Sequence, residues 1–206
     1  MTRQGGFSLL ELAVVLVILG LVMGGLLTPL GTSMEQRRVA ATDAALSLAH
    51  EALLGFALVQ GRLPCADQDG DGSEDCPASG EGDLPWRTLG LTHARGRDAW
   101  GNPLRYRPDG AFAGASLADP PDTVDGLRVQ EADGTPLTAG NPDAPVAVVF
   151  APGPDGSGNG ENADGDVVYT DTAWCSAGCI LHFDDRLVVL ARNVLIARLA
   201  AAGRWP

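Results

Sequence analysis

Hydrophobic and polar positions divide the chain into three zones. From Phe7 to Leu30 the run FSLLELAVVLVILGLVMGGLLTPL is almost continuously apolar, and as a helix rising about 1.5 Å per residue it spans roughly 36 Å. That is enough to cross a hydrocarbon layer of about 30 Å, so a transmembrane helix is predicted over residues 7–30. From Ser33 to Leu58 the apolar positions become periodic. Val39, Leu46, Leu53 and Phe56, with Ala40, Ala49 and Ala57, recur near every third or fourth residue, which predicts an amphipathic continuation of the helix within residues 31–62. Pro29, close to Gly24, Gly25 and Gly31, marks where a helix loosens or bends, and Gly61 and Pro64 end it.

The third zone, residues 63–206, is punctuated by Asp-Gly pairs at Asp69-Gly70, Asp71-Gly72, Asp109-Gly110, Asp125-Gly126, Asp133-Gly134, Asp155-Gly156 and Asp164-Gly165, dipeptides that favour turns. Between them lie strand candidates at Leu104 to Arg107, Leu127 to Glu131, Val146 to Ala151, Val167 to Thr170 and Leu187 to Leu190. Val194, Leu195, Arg198 and Leu199 at helical spacing, with Gly203 beyond, predict a short closing helix from Arg192 to Ala202. The expected fold class is α+β: a long N-terminal helix packed on a small antiparallel sheet, with a short C-terminal helix.

One charge breaks the apolar run. Glu11 lies near its start, where a carboxylate in a bilayer costs several kcal/mol unless paired or neutralised. A cleaved secretory signal fits poorly, because the run exceeds a signal core of about 7 to 15 residues and no small-x-small site follows it. A plain anchor leaves Glu11 unexplained. Cutting after Gly6 would create a positive amine on Phe7, one helical turn from Glu11, and that amine on a neighbouring helix would pair with the carboxylate. The run Gly6-Phe7-Ser8-Leu9-Leu10-Glu11, behind a short leader with Arg3, resembles the N-terminal signature of the type IV pilin and type II secretion pseudopilin family. The resemblance implies a leader of residues 1–6, cleavage between Gly6 and Phe7 by a prepilin peptidase, methylation of the Phe7 amine, and assembly guided by Glu11. It also implies inner-membrane insertion with a periplasmic domain, an inner-membrane assembly platform, and other pilin or pseudopilin subunits as partners in a filament.

Charge and cysteine usage narrow the picture further. The chain has 14 Lys+Arg, all of them arginine, against 26 Asp+Glu, a balance that disfavours nucleic acid as a partner. Arg3 before the apolar run fits a cytoplasmic N-terminus, although Arg37 and Arg38 follow it. Cys65, Cys76, Cys175 and Cys179 all lie in the third zone, as expected of a domain in an oxidising compartment. Of the three connectivities, the shorter loops favour Cys65 with Cys76 and Cys175 with Cys179. Zinc on Cys175, Cys179 and His182 would lack a fourth ligand.

Two patches extend the resemblance into the domain. Asp98-Ala99-Trp100-Gly101-Asn102-Pro103-Leu104-Arg105-Tyr106 is similar to the Asp-Pro-Trp-Gly-Asn-Pro-Tyr-x-Tyr segment of the major pseudopilin, and by its residue types it buries a ring and turns the chain into a strand. The run from Gly153 to Asp164 resembles the glycine-rich loop with which that pseudopilin holds calcium. Hard cations take six to eight oxygens from carboxylates, amides and carbonyls, and the candidate ligands are Asp155, Asn162, Asp164 and Asp166. A second, weaker candidate is Asp67, Asp69 and Asp71 with Gly72, which begins like a calcium loop but carries Ala78 where the bidentate glutamate belongs. Both cysteine pairs, the Asp67 to Asp75 run, the Gly110 to Pro145 insertion and the segment after Phe183 depart from the family pattern.

No organic cofactor is implied: a phosphate loop needs a lysine that this chain lacks. His50, His93 and His182 are scattered, and neither a Gly-x-Ser-x-Gly elbow nor a His-Glu-x-x-His helix occurs, so an enzyme is not expected. The expected function is a structural pilin or pseudopilin of a pilus-like or type II secretion filament. The alternatives are a calcium-dependent minor or tip subunit acting in adhesion or priming, and a membrane-anchored periplasmic protein of other function.

Overall fold

A computed structural model describes residues 8–76, 80–113, 122–175 and 183–204, with side chains 22–32 of the first helix excluded. That helix, α1 (Leu9–Gln60), joins the predicted membrane and amphipathic segments in one element. The chain divides into two units, Met1–Ala40 and Ala41–Pro206.

In the first unit α1 starts on a local cap. The backbone N–H of Glu11 donates to Ser8 Oγ at 3.2 Å, and Ser8 with Glu11 three residues on has the spacing of a capping box. Glu11 also places a negative charge in the first turn, where the helix dipole favours it. Every described side chain from Leu9 to Leu21 is exposed, Leu9 by 89% and Leu21 by 73%. So large an apolar surface calls for a lipid or protein partner.

The second unit is built on a four-stranded antiparallel sheet in the order β1 (Gly82–Asp83), β2 (Arg105–Pro108), β4 (Pro145–Ala151), β6 (Arg186–Ala191). Central β4 is buried along its whole length, so its sequence Pro-Val-Ala-Val-Val-Phe-Ala shows no in/out alternation. Beyond the irregularity between Pro145 and Ala147, its residues nevertheless alternate between cores. Ala147, Val149 and Ala151 join Leu46, Leu53 and Ala57 of α1 and Leu195 and Leu199 of α3 (Arg192–Ala201), whereas Val148 and Phe150 join Leu127, Val129 and Tyr169. Across the domain, Arg186 of β6 grips Asp43 of α1 through Nε at 2.9 Å and Nη2 at 3.0 Å.

The sequence-based elements fall close to the observed ones, but two of the predicted strands stand apart from the four-stranded sheet. β3 (Arg128–Gln130) and β5 (Val168–Thr170) form a separate two-stranded ribbon, and they run parallel. Antiparallel neighbours can share a tight hairpin, but parallel strands need a long crossover. Here the connection passes through β4, which is why a linear list of strands suggested antiparallel pairing throughout. The Gly110 to Pro145 insertion thus contributes to the second core. Its base is closed by buried Asp109, whose Oδ2 accepts from the N–H groups of Val124 and Asp125 at 2.9 Å each, while Asp125 Oδ2 accepts from Gly110 N–H at 2.8 Å. Gly110 starts the one-turn helix α2 (Gly110–Ala113), and the glycine of every other Asp-Gly pair has positive φ.

Candidate functional site

Three local constructions carry the candidate chemistry: the start of α1 and two acidic loops. At the start of α1, Ser8 and Glu11 are placed as described, while Gly6 and Phe7 lie outside the described residues.

The first acidic loop is stapled by a Cys65–Cys76 disulfide with Cα atoms 5.5 Å apart. Inside it, buried Asp67 organises the backbone: Oδ1 accepts from Gly70 N–H at 2.7 Å and Asp69 N–H at 3.2 Å, and Oδ2 from Gly72 N–H at 2.7 Å. Asp69 and Asp71 repeat the motif toward Asp71 and Ser73. The three carboxylates converge, each offering an oxygen within 4.8 Å of the others. Neither Glu74 nor Asp75 completes the shell. Glu74 is held by Arg62 through two bonds of 2.7 and 2.6 Å and accepts from Cys65 N–H at 3.0 Å, and Asp75 accepts from Gln68 N–H. The Arg62 guanidinium holds the Glu74 carboxyl below its ordinary pKa. Gly72 lies against the Trp86 ring, which a Cβ would enter at 2.3 Å.

The glycine-rich loop is anchored from both flanks. Asn102, from the tryptophan motif, donates from Nδ2 to the Gly153 carbonyl at 2.6 Å, and Asp98 Oδ1 accepts from Trp100 and Asn102 N–H at 2.9 and 2.8 Å. The two patches that resemble the major pseudopilin are therefore one connected structure. Trp100 stacks on Trp174 with ring centres 5.4 Å apart, in keeping with the structural role expected of the motif. At Gly153 a Cβ would come within 2.4 Å of the Asp184 carbonyl, and at Gly158 within 2.1 Å of the Asn162 carbonyl. These glycines are required by close backbone approach.

The structure separates the four candidate ligands of this loop. Asn162 is buried with its amide fully engaged: Nδ2 donates to Asp185 Oδ2 at 2.8 Å and the Thr170 carbonyl at 3.1 Å, and Oδ1 accepts from Thr170 N–H at 2.8 Å. Asp155 caps the turn at Ser157. Asp164 and Asp166 instead converge with Glu161, oxygens within 4.8 Å of one another. Glu161 was legible only as the residue three before Asp164. A 3-10 turn over Gly160–Ala163 brings the two together.

Sequence reasoning passed over Asp185. It is buried, and its Oδ2 accepts from Asn159 N–H at 2.7 Å as well as from Asn162, while Oδ1 has no hydrogen-bond partner. Burial pushes its pKa up to about 6 despite those two donors, with Asp184 and Asp155 adding to the rise. Cys175 is disulfide-bonded, and among the described residues no cysteine is free. Its expected partner Cys179 and the histidine of the zinc alternative, His182, lie outside the described residues.

Residues 1–27 match the model of the prokaryotic N-terminal methylation motif. Over 112 residues the chain is 31% identical to the type II secretion system core protein G of Aeromonas hydrophila, covering 53% of this chain and 77% of that protein. The chain belongs to the core protein G family of pseudopilins. No solved structure matches it. For a pseudopilin the exposed apolar start of α1 is consistent with a membrane anchor. The later part, Ser33–Gln60, is also long and apolar enough to cross a membrane, but it buries Leu46, Ala49, Leu53, Leu54 and Ala57 in its own domain.

Proposed function

We propose that this pseudopilin is a structural subunit of a type II secretion or pilus-like filament, and that its action is assembly without catalysis. A prepilin peptidase cuts between Gly6 and Phe7, the Phe7 amine is methylated, and the amine of one copy pairs with Glu11 of the next. The observation that carries this reading is a lone carboxylate in the first turn of an exposed apolar helix, behind a matched methylation motif. Glu11 is costly in lipid when unpaired and stabilising when a neighbour supplies the positive charge. The domain is periplasmic, as the Cys65–Cys76 disulfide favours, and an inner-membrane platform extracts the subunit into the filament. Calcium is bound at Glu161, Asp164 and Asp166, a hard-oxygen set suited to it.

Intact mass spectrometry of the protein from its native membrane, with and without reduction, tests the proposal. The expected mass is that of a chain beginning at Phe7 with one added methyl, and reduction adds the hydrogens of each disulfide. A full-length, unmethylated mass would remove the filament pathway and leave a bitopic anchor.

A further inference from the structure

Of the 26 acidic residues only Glu11 and Glu35 precede Ala41, so the domain that follows is strongly acidic. One of its loops runs against that charge. Thr92 to Arg97 reads Thr-His-Ala-Arg-Gly-Arg, two arginines and a histidine with no carboxylate among them. Among the described residues neither arginine has a carboxylate partner. Arg97 donates to His93 Nε2 at 3.1 Å and to the Gly101 carbonyl at 2.6 Å, and the exposed Arg95 has no hydrogen bond or ion pair. The adjoining carboxylates are engaged elsewhere. Asp98 Oδ1 accepts from the N–H groups of Trp100 and Asn102, and Asp43 is held by Arg186. The two arginines border an open groove of about 480 Å³ whose walls are apolar, with Ala41, Ala44 and Leu48 of α1 facing Ala94 of the loop. Ala41 is the first residue of the domain, so the groove stands at the end where the chain enters. Residues 31–40, which include Arg37 and Arg38, separate it from the apolar run ending at Leu30. Even fully extended they span at most about 36 Å, so the chain holds the groove close to any bilayer that the apolar run occupies.

We propose that this groove docks on anionic phospholipid of the membrane that anchors the subunit, with Arg95 and Arg97 on lipid phosphates and the alanine-lined walls against the apolar region beneath them. The inference rests on the membrane-anchor reading above. Charge complementarity selects the occupant. A guanidinium presents a fork of donors that matches phosphate oxygens, and each arginine near a membrane surface favours an anionic one by roughly fivefold. The rest of so acidic a domain is repelled by the same lipids, so the loop also selects which part of the domain meets the surface. An acidic polypeptide satisfies the same arginines, but the bilayer is the partner that the chain itself holds beside them, and the apolar walls suit lipid.

The test uses the full-length chain in lipid nanodiscs, with a phosphatidylcholine carrying a nitroxide on its headgroup as quencher. A thiol-directed fluorophore is placed on Ala94→Cys at the groove or, as a control, on Thr135→Cys in the turn after β3, both exposed positions. No described native cysteine is free to compete for it. Quenching at position 94 is expected to be at least about threefold stronger in discs containing phosphatidylglycerol than in phosphatidylcholine alone, and at position 135 equal in the two. Arg95→Glu is expected to return position 94 to its phosphatidylcholine value, whereas Arg95→Lys keeps most of the difference. Because the Arg95 side chain holds nothing in the domain, the melting temperature of both variants should stay that of the unsubstituted protein. Quenching that ignores lipid charge, or that survives Arg95→Glu, overturns the contact, leaves the anchor reading standing and points to an acidic polypeptide instead. Protein that fails to enter the discs overturns both.

Discussion

Asn162 donates its side-chain amide to Asp185 at 2.8 Å, and through that bond the glycine-rich loop is tied to the residue immediately before β6. The same amide satisfies both backbone groups of Thr170. Asn162→Ala would leave those two groups and Asp185 short of partners, at a cost of roughly 2–4 kcal/mol. Urea denaturation of the purified protein should show the midpoint fall accordingly, and an unchanged midpoint would mean that the loop relaxes to other partners.

Asp185 makes stability depend on pH. Its folded pKa, about 6, lies above its ordinary value of 3.8, so between those pH values the folded state binds more protons than the unfolded chain. The stability associated with this group is therefore fully present below about pH 4 and is lost as pH rises through 6. Relative to Asp185→Asn, the unsubstituted protein should lose on the order of 2–3 kcal/mol between pH 4 and 7. Parallel pH profiles of the two proteins would contradict this.

The Cys65–Cys76 staple closes a loop whose ends are 11 residues apart. Replacing both cysteines by serine should cost about 2–4 kcal/mol, chiefly by freeing the unfolded chain. Glu74 contributes in the opposite pH sense from Asp185: its pKa is depressed by Arg62, so its share of stability is present above the unfolded value and disappears as pH falls. Glu74→Gln should flatten that acid limb, as a urea titration over pH would reveal.

Calcium at Glu161, Asp164 and Asp166 predicts a calcium-dependent rise in melting temperature. Asp164→Ala should abolish the rise, whereas Asp155→Ala should preserve it because Asp155 serves Ser157. If Asp69→Ala alone abolishes it, the ion belongs to the disulfide-stapled loop.

Glu11→Ala should yield protein that is still cut after Gly6 and inserted but enters filaments poorly beside unsubstituted copies, as assayed by shearing. Equal incorporation of the two forms would remove the pairing argument. The local contribution of Glu11 to helix capping is small, about 0.3–1 kcal/mol, and cannot by itself account for a large assembly defect.

Much of this protein is settled by order along the chain. The apolar run, the lone Glu11, the amphipathic stripe through Leu46 and Leu53, and the strand around Val146 to Ala151 are periodic or compositional patterns, and such patterns bury or expose the same residues in any compatible fold. The Cys65–Cys76 pairing was also within reach, because a short loop limits which sulfurs meet. Tertiary structure alone decided the rest. β3 and β5 pair in parallel because β4 intervenes in sequence but not in that ribbon, and a strand's own residues do not record its neighbour's direction. Read in line, Asn162 stands among the candidate ligands and Glu161 does not, yet burial against Asp185 commits Asn162 to the core while a single 3-10 turn brings Glu161 to Asp164. Asp185 itself was passed over because an Asp-Asp pair before a strand reads as solvated surface, and only the packing around it takes away the water that would have held its charge.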